Sequence, residues 1–110
     1  MGNGQNFTTG PIRMKLKILP SAVCDLYAGR FFYENQGQGL GEYFFDSLFS
    51  DIDSLLLYAG IHQKFWGYYR MLSKRFPYAV YYKIDGDNLV VWRVMDLRQR
   101  PSKIKRSLLS

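Results

Sequence analysis

Hydrophobic and polar residues follow two different periods along the chain, and the period changes at recognisable turn signals. Residues 14–19 alternate with a period of two, which places Leu16 and Ile18 on one face and Lys15 and Lys17 on the other. This alternation is typical of a β-strand with one buried face. The pattern therefore predicts a strand at the beginning of the ordered chain.

A helical period replaces the alternation at Pro20. Proline suits the first turn of a helix, and Ser21 is the residue expected to cap it. The helix carries one apolar face with a glycine in it, where a neighbouring backbone can approach closely. The residues of this face are Ala22, Leu26, Gly29 and Tyr33. Residues 35–39 then form a loop rich in glycine and amide side chains, which ends the helix.

A second helix is predicted over residues 40–58 and has two apolar ridges. The first ridge is the expected core contact, made of Phe44, Leu48, Ile52 and Leu55. The second ridge lies beside it, made of Phe45, Phe49 and Leu56. One helix face in a monomer of this size rarely needs so wide an apolar surface. The second ridge is therefore expected to be sandwiched within the fold or to bind a partner.

Three further strands follow a turn near Gly60. They are predicted over residues 68–74, 76–84 and 89–95, and the Asp-Gly-Asp-Asn sequence at 85–88 indicates a tight hairpin between the last two. The resulting order is β-α-α-β-β-β. This order predicts an α+β fold in which two N-terminal helices pack on a small, mostly antiparallel sheet.

Length and composition indicate one domain. The chain has 110 residues, of which 47% are hydrophobic and 17% aromatic, so a single ordinary core is expected over residues 14–110. Residues 1–13 have no apolar period and are expected to be a flexible lead, either an expression remnant or an upstream start. The single cysteine, Cys24, and the lack of a long apolar run favour a cytoplasmic protein without a membrane span.

Charge is concentrated in the second half of the chain. The formal net charge is +6, and residues 63–110 carry eleven basic and only three acidic side chains. Such a basic segment, ending in a basic tail over residues 97–110, favours an anionic partner, either nucleic acid or an acidic protein segment. The candidate target-binding residues lie on the last strands and just beyond them; they are Arg70, Lys74, Arg75, Arg93, Arg98 and Arg100.

Catalytic and metal-binding motifs are sparse. Cys24 and His62 are far apart and do not form a ligand pair, and no glycine-rich phosphate loop follows a strand. We therefore expect no metal and no cofactor. Arginine is a poor general base because it stays protonated, so no catalytic residue is assigned.

An ordered set of short motifs resembles the RelE/ParE superfamily of toxins. The set begins with the Lys-Ile-Leu-Pro-Ser-Ala segment at 17–22 and the Gly-Leu-Gly-Glu-Tyr-Phe segment at 39–44. It continues with Arg-Phe-Pro-Tyr-Ala-Val-Tyr-Tyr at 75–82 and Asp-Leu-Arg-Gln-Arg-Pro at 96–101. Together these motifs extend over residues 14–104. The β-α-α-β-β-β order is also the order of that superfamily.

The resemblance implies the toxin of a bacterial type II toxin–antitoxin, or plasmid stabilisation, system. It implies a cytoplasmic complex with a cognate antitoxin, which the second ridge Phe45, Phe49 and Leu56 is expected to bind. Two activities occur in the superfamily: ParE-like inhibition of DNA gyrase and RelE-like cleavage of mRNA on the ribosome. Asp96 stands where a late-strand motif often carries histidine, which favours the gyrase inhibitor. The ribosome-dependent endonuclease and a non-toxic RNA-binding module remain alternatives.

Overall fold

The computed structural model describes residues 14–110, so the predicted lead at 1–13 lies outside the described residues. Within these residues, three helices and five strands follow one another in the order β-α-α-β-β-β-β-α. The elements are β1 (Lys15–Ile18), α1 (Pro20–Glu34), α2 (Leu40–Tyr58), β2 (Lys64–Phe65), β3 (Tyr68–Leu72), β4 (Tyr78–Asp85), β5 (Asn88–Asp96) and α3 (Pro101–Leu109). The fold is α+β, as predicted, with one short strand and one helix that the sequence patterns did not indicate.

The five strands form one sheet in the order β1-β5-β4-β3-β2. Among the strand pairs of residues 14–110, β1–β5 is parallel and the other three are antiparallel. The predicted hairpin between β4 and β5 is present, with Gly86 at a positive φ of 60° in its two-residue turn. The mostly antiparallel sheet is therefore confirmed.

Helices α1 and α2 pack on one face of the sheet, which we call the helix face. Its main core includes the predicted first ridge of α2, and Phe44, Leu48, Ile52 and Leu55 are all fully buried there. Gly29 of α1 lies against Phe44, since a Cβ built at Gly29 would come within 2.4 Å of the Phe44 ring. Gly29 is therefore a point of close approach, as predicted, but the group that approaches it is the Phe44 ring and not a backbone.

The start of α1 differs from the prediction for Ser21. The N-cap is Leu19, whose side chain cannot accept a hydrogen bond, and Pro20 occupies the first turn. The Ser21 hydroxyl instead donates to the carbonyl oxygen of Trp92 at 3.1 Å. Ser21 therefore joins α1 to β5 beyond the end of β1, where the edge of β5 would otherwise be open.

The predicted strand over 76–84 begins two residues later, at Tyr78. Pro77 has no backbone N–H to donate to a ladder, and its carbonyl oxygen accepts the Leu97 N–H at 2.8 Å. The predicted strand over 68–74 also ends early, at Leu72. Its continuation bends away, so Lys74 and Arg75 lie in the loop between β3 and β4.

The basic tail forms α3, which covers the other face of the sheet, called here the α3 face. Ile104 and Leu108 are buried against Tyr81 and Met95. The hydroxyl of Tyr68 donates to the Leu108 carbonyl oxygen at 3.0 Å and fixes the end of the helix. The sheet is thus covered on both faces, and this explains why both alternating sets of residues along β4 are buried.

Candidate target-binding surface

A row of three side chains crosses the α3 face at the middle of the sheet. Arg70 of β3 pairs with Tyr81 of β4, which pairs with Arg93 of β5. Residues paired across antiparallel strands place their side chains on the same face. Two of the six predicted basic residues are therefore brought into one row, although they are 23 positions apart in the sequence.

Arg70 is held at one end of this row. Its guanidinium carbon lies 3.8 Å from the centre of the Phe65 ring, and its backbone N–H donates to the Gln63 carbonyl oxygen at 3.0 Å. Burial raises the pKa of Tyr81, and the nearby Arg70 charge opposes that rise. The aromatic contacts orient the guanidinium and leave its donors able to bind an anion.

Arg93, at the other end of the row, is engaged within the fold. Its Nε and Nη2 donate to both carboxylate oxygens of Asp25 at 2.7 and 2.9 Å, and its Nη1 donates to the Ser107 carbonyl oxygen at 3.3 Å. Asp25 also accepts the Val94 N–H at 2.9 Å. The hydrogen bonds to Asp25 raise the pKa of Arg93. These contacts join α1, β5 and α3, which is a structural role.

Arg98 lies at the end of α1 rather than on the α3 face. Its Nε and Nη2 donate to Asp96 at 2.9 and 2.8 Å, and its guanidinium lies 5.4 Å from the Phe32 ring centre. Burial acts to raise the pKa of Asp96, but the hydrogen bonds from Arg98 outweigh it and the pKa is lowered. Burial and the Asp96 charge also raise the pKa of Tyr78 to about 12.

The remaining predicted residues are exposed. Lys74 and Arg75 occupy the loop after β3, and the Lys74 N–H donates to the buried carboxylate of Asp51 at 3.3 Å. Arg100 is the N-cap residue of α3. The six predicted residues therefore do not form one cluster. They divide into the row on the α3 face, the loop after β3 and the basic segment that leads into α3.

A cleft of about 640 Å³ opens beside β3 and brings Arg70 and Lys74 together with residues that the sequence analysis did not assign to the site. We call it the β3 cleft; it is lined by Asp51, Ser54, Tyr58, Ile61, His62, Gln63, Phe65, Arg70, Met71, Leu72 and Lys74. Two of its apolar residues, Ile61 and Leu72, are more than half exposed. No motif around His62 predicts that it lies in this cleft, because its position depends on the path that the chain takes after the turn at Gly60.

His62 is held in this cleft by Tyr82. The Tyr82 hydroxyl accepts the Gly60 N–H at 2.9 Å and lies within hydrogen-bond distance of His62 Nδ1. The hydroxyl has one proton and two acceptor lone pairs, so besides accepting from Gly60 it can either donate to an unprotonated Nδ1 or accept from a protonated one. Burial lowers the pKa of His62 from its usual 6.5, so the imidazole is mainly neutral at pH 7.

The second ridge of α2 is only partly available to a partner. Phe45 and Phe49 are half-buried, and Phe45 is contacted by the Tyr27 ring and by the Arg30 guanidinium of α1. Leu56 is 47% exposed and lies near the end of the helix. The ridge therefore serves partly as contact between the two helices, while Leu56 of α2 and Tyr27 and Phe31 of α1 remain exposed.

Residues 14–110 contain neither a cluster of metal ligands nor a helix suited to span a membrane. No group of three or more histidine, cysteine, aspartate or glutamate side chains that could hold a metal ion occurs in this range. None of the three helices described here is both long and apolar enough to cross a membrane.

Comparison with solved structures identifies the fold. The chain is similar to a chain of the structure described as the chromosomal ParDE TA system from P. aeruginosa, with a TM-score of 0.66 and 17% sequence identity. The similarity covers 79% of this chain and 99% of the other. No protein-family model and no curated protein matches the sequence. The fold is therefore that of the ParE/RelE-like proteins, as the order of elements and the sequence motifs predicted.

Proposed function

We propose that the protein is the toxin of a bacterial type II toxin–antitoxin system and that it inhibits DNA gyrase without catalysing a reaction. The observation that carries the proposal is the similarity of fold to a chain of a ParDE TA system structure over nearly the whole of that chain. The basic surface and the exposed apolar positions on α1 and α2 add to this support. Gyrase is cytoplasmic, and the protein is proposed to act there.

The chemistry of the α3 face favours inhibition by binding. Cleavage of RNA through its 2′-hydroxyl needs a base and a proton donor beside the reacting phosphate. The row on the α3 face offers two guanidiniums, which stay protonated, and Tyr81, which is 1% exposed and has a raised pKa. These groups can bind an anionic surface but are poorly suited to transfer protons. The proposed target-binding residues are accordingly Arg70, Lys74, Arg75, Arg98 and Arg100, with Arg93 supporting them through the fold.

The proposed antitoxin contact is the exposed part of α1 and α2. Apolar side chains at Leu56, Tyr27 and Phe31 can bind the apolar face of an amphipathic segment. Acidic residues of that segment would pair with the basic half of the toxin, which affects the association rate and its salt dependence more than the final affinity.

The β3 cleft supports a second candidate function, a ribosome-dependent mRNA endonuclease. It places His62, neutral at pH 7, in the same cavity as Arg70 and Lys74. When Nδ1–H donates to the Tyr82 hydroxyl, Nε2 is unprotonated and can accept a proton, and the two cations can stabilise charge on a phosphate. In this function His62 is the base candidate and His62→Gln abolishes cleavage.

Expression in bacteria and an assay of purified gyrase test the proposal together. Induced expression should arrest growth, and co-expression of a cognate antitoxin should restore it. The purified protein should inhibit supercoiling by gyrase, and Arg70→Ala should weaken this inhibition ten- to a hundredfold, as expected for a lost charged hydrogen bond of about 1.5–3 kcal/mol. Lys17→Ala, a cation on the far edge of the sheet, is the matched control. Unimpaired growth would support a non-toxic RNA-binding module and refute the toxin assignment.

A further inference from the structure

A groove of about 450 Å³ lies at the start of α3, and its lining consists of basic and polar side chains. We call it the α3 groove; it is lined by Arg98, Gln99, Arg100, Ser102, Lys103 and Arg106. Three of these, Arg100, Lys103 and Arg106, are exposed and make no ion pair within residues 14–110. We propose that the α3 groove binds the phosphodiester backbone of a nucleic acid.

Helix geometry places these three cations close together. Arg100 is the N-cap residue, and Lys103 and Arg106 follow it at three-residue spacing, so the three Cα atoms span about 9 Å of the helix axis. All three side chains line the same groove. Both strands of a DNA duplex together carry one negative charge per about 1.7 Å of helix axis. A short stretch of backbone therefore offers several phosphates to the three side chains at once.

Contacts beneath α3 fix the position of the helix that carries these cations. Ile104 and Leu108 are buried in the α3 face, and the Leu108 and Ser107 carbonyl oxygens accept hydrogen bonds from Tyr68 and Arg93. The opposite side of the helix then projects into solvent. Like charges at three-residue spacing repel one another, so the arrangement does not favour the helix by itself. A bound polyanion would relieve that repulsion.

The lining of the α3 groove favours nucleic acid over an acidic protein segment. Stable peptide recognition depends on apolar anchors in pockets, and the groove has no apolar side chain in its lining. In residues 14–110 the exposed Leu109 lines a neighbouring cavity that shares Ser102 and Arg106 with the groove, and the other exposed apolar residues that line cavities lie mainly in the β3 cleft and on α1. A single leucine offers a peptide only one apolar anchor. A phosphodiester backbone needs only positive charge and hydrogen-bond donors.

The inference goes beyond the proposed function, because it concerns a direct contact with nucleic acid and requires neither gyrase nor an antitoxin. The experiment measures binding of the full chain to fluorescent 25-nucleotide single-stranded RNA, single-stranded DNA and duplex DNA between 50 and 200 mM NaCl. We expect the triple variant Arg100→Gln, Lys103→Gln, Arg106→Gln to reduce the slope of log affinity against log salt. The expected reduction is about 2 for single strands and about 2.7 for a duplex, as the loss of three phosphate contacts implies. Comparison of the three probes identifies which nucleic acid the groove prefers.

The matched control removes the same charge elsewhere. Lys15→Gln, Lys17→Gln, Lys64→Gln alters three exposed cations on β1 and β2 and should leave the salt slope unchanged. Far-ultraviolet circular dichroism checks that both triple variants remain folded. An equal reduction of the salt slope in the two triple variants would contradict a localised binding site. Absence of binding at 50 mM NaCl, or equally tight binding of polyglutamate of similar length, would also overturn the proposal. Because no gyrase is present, these outcomes are independent of the test of the proposed target.

Discussion

The ion pair between Arg93 and Asp25 allows a quantitative test of the structural role assigned to Arg93. Asp25→Asn removes the charge that accepts two hydrogen bonds from Arg93, while the amide oxygen can still accept the Val94 N–H. The guanidinium then remains without its carboxylate in a position where the Arg93 side chain is 23% exposed. The substitution therefore tests the charged pair rather than the whole contact.

The expected cost follows from the partial burial of the pair. Breaking a fully buried ion pair costs about 3–5 kcal/mol, whereas exposed pairs are worth about 0–1 kcal/mol. The remaining exposure of Arg93 and its bond to Ser107 place this pair between those limits, at about 2 kcal/mol. For a domain of this size a loss of 2 kcal/mol lowers the melting temperature by roughly 8–16 °C.

Urea unfolding and thermal melting followed by circular dichroism measure both quantities. The matched control is Asp96→Asn, which removes the same charge from the more exposed pair with Arg98, where the arginine side chain is 49% exposed. Its cost should stay below about 1 kcal/mol. If Asp25→Asn costs no more than Asp96→Asn but abolishes inhibition of the target, the structural interpretation of Arg93 is wrong and the residue belongs to the binding surface.

Three further predictions concern packing, the antitoxin and pH. Gly29→Ala should destabilise the protein by about 1 kcal/mol in urea unfolding, because overpacking against Phe44 exceeds the gain in helix propensity; a stabilised variant would contradict this. Leu56→Asp should weaken antitoxin binding at least tenfold in titration calorimetry without destabilising the free toxin, and unchanged affinity would remove this surface from the contact. Lowering the pH below about 6.5 should reduce the free energy of unfolding, because the pKa of His62 is lowered in the folded protein and the unfolded chain therefore binds more protons than the folded one. His62→Gln should lose this pH dependence, and an unchanged pH profile in that variant would show that His62 is not its source.

The elements with strong periodicity could be predicted from the sequence almost to the residue. Helix α2 begins and ends where its apolar ridge and flanking glycines indicate, and the hairpin follows from the Asp-Gly turn. Helix α3 was missed because its charges dominate the tail, although Pro101 and the four-residue spacing of Ile104 and Leu108 are helical signals. The two-residue strand β2 is too short to show any period.

The candidate site was less predictable because its residues meet through tertiary structure. Strand pairing places Arg70 and Arg93 in one row, but the engagement of Arg93 depends on Asp25, 68 positions earlier in the chain. The pairing of β4 with β5 shifts register between Tyr81 and Tyr82, so Trp92 has no paired residue on β4. This bulge breaks the simple alternation expected along β5. No local pattern in the sequence specifies these contacts.

The most direct test of the proposed function compares two purified systems with the same protein preparation. In one, gyrase acts on plasmid DNA and the product is examined for cleaved DNA trapped on the enzyme. In the other, a cell-free translation reaction is examined for mRNA cleaved at defined codon positions. A non-catalytic gyrase inhibitor predicts trapped cleaved DNA and intact mRNA. Codon-phased mRNA cleavage that is abolished by Arg70→Ala or His62→Gln, with gyrase unaffected, would contradict it.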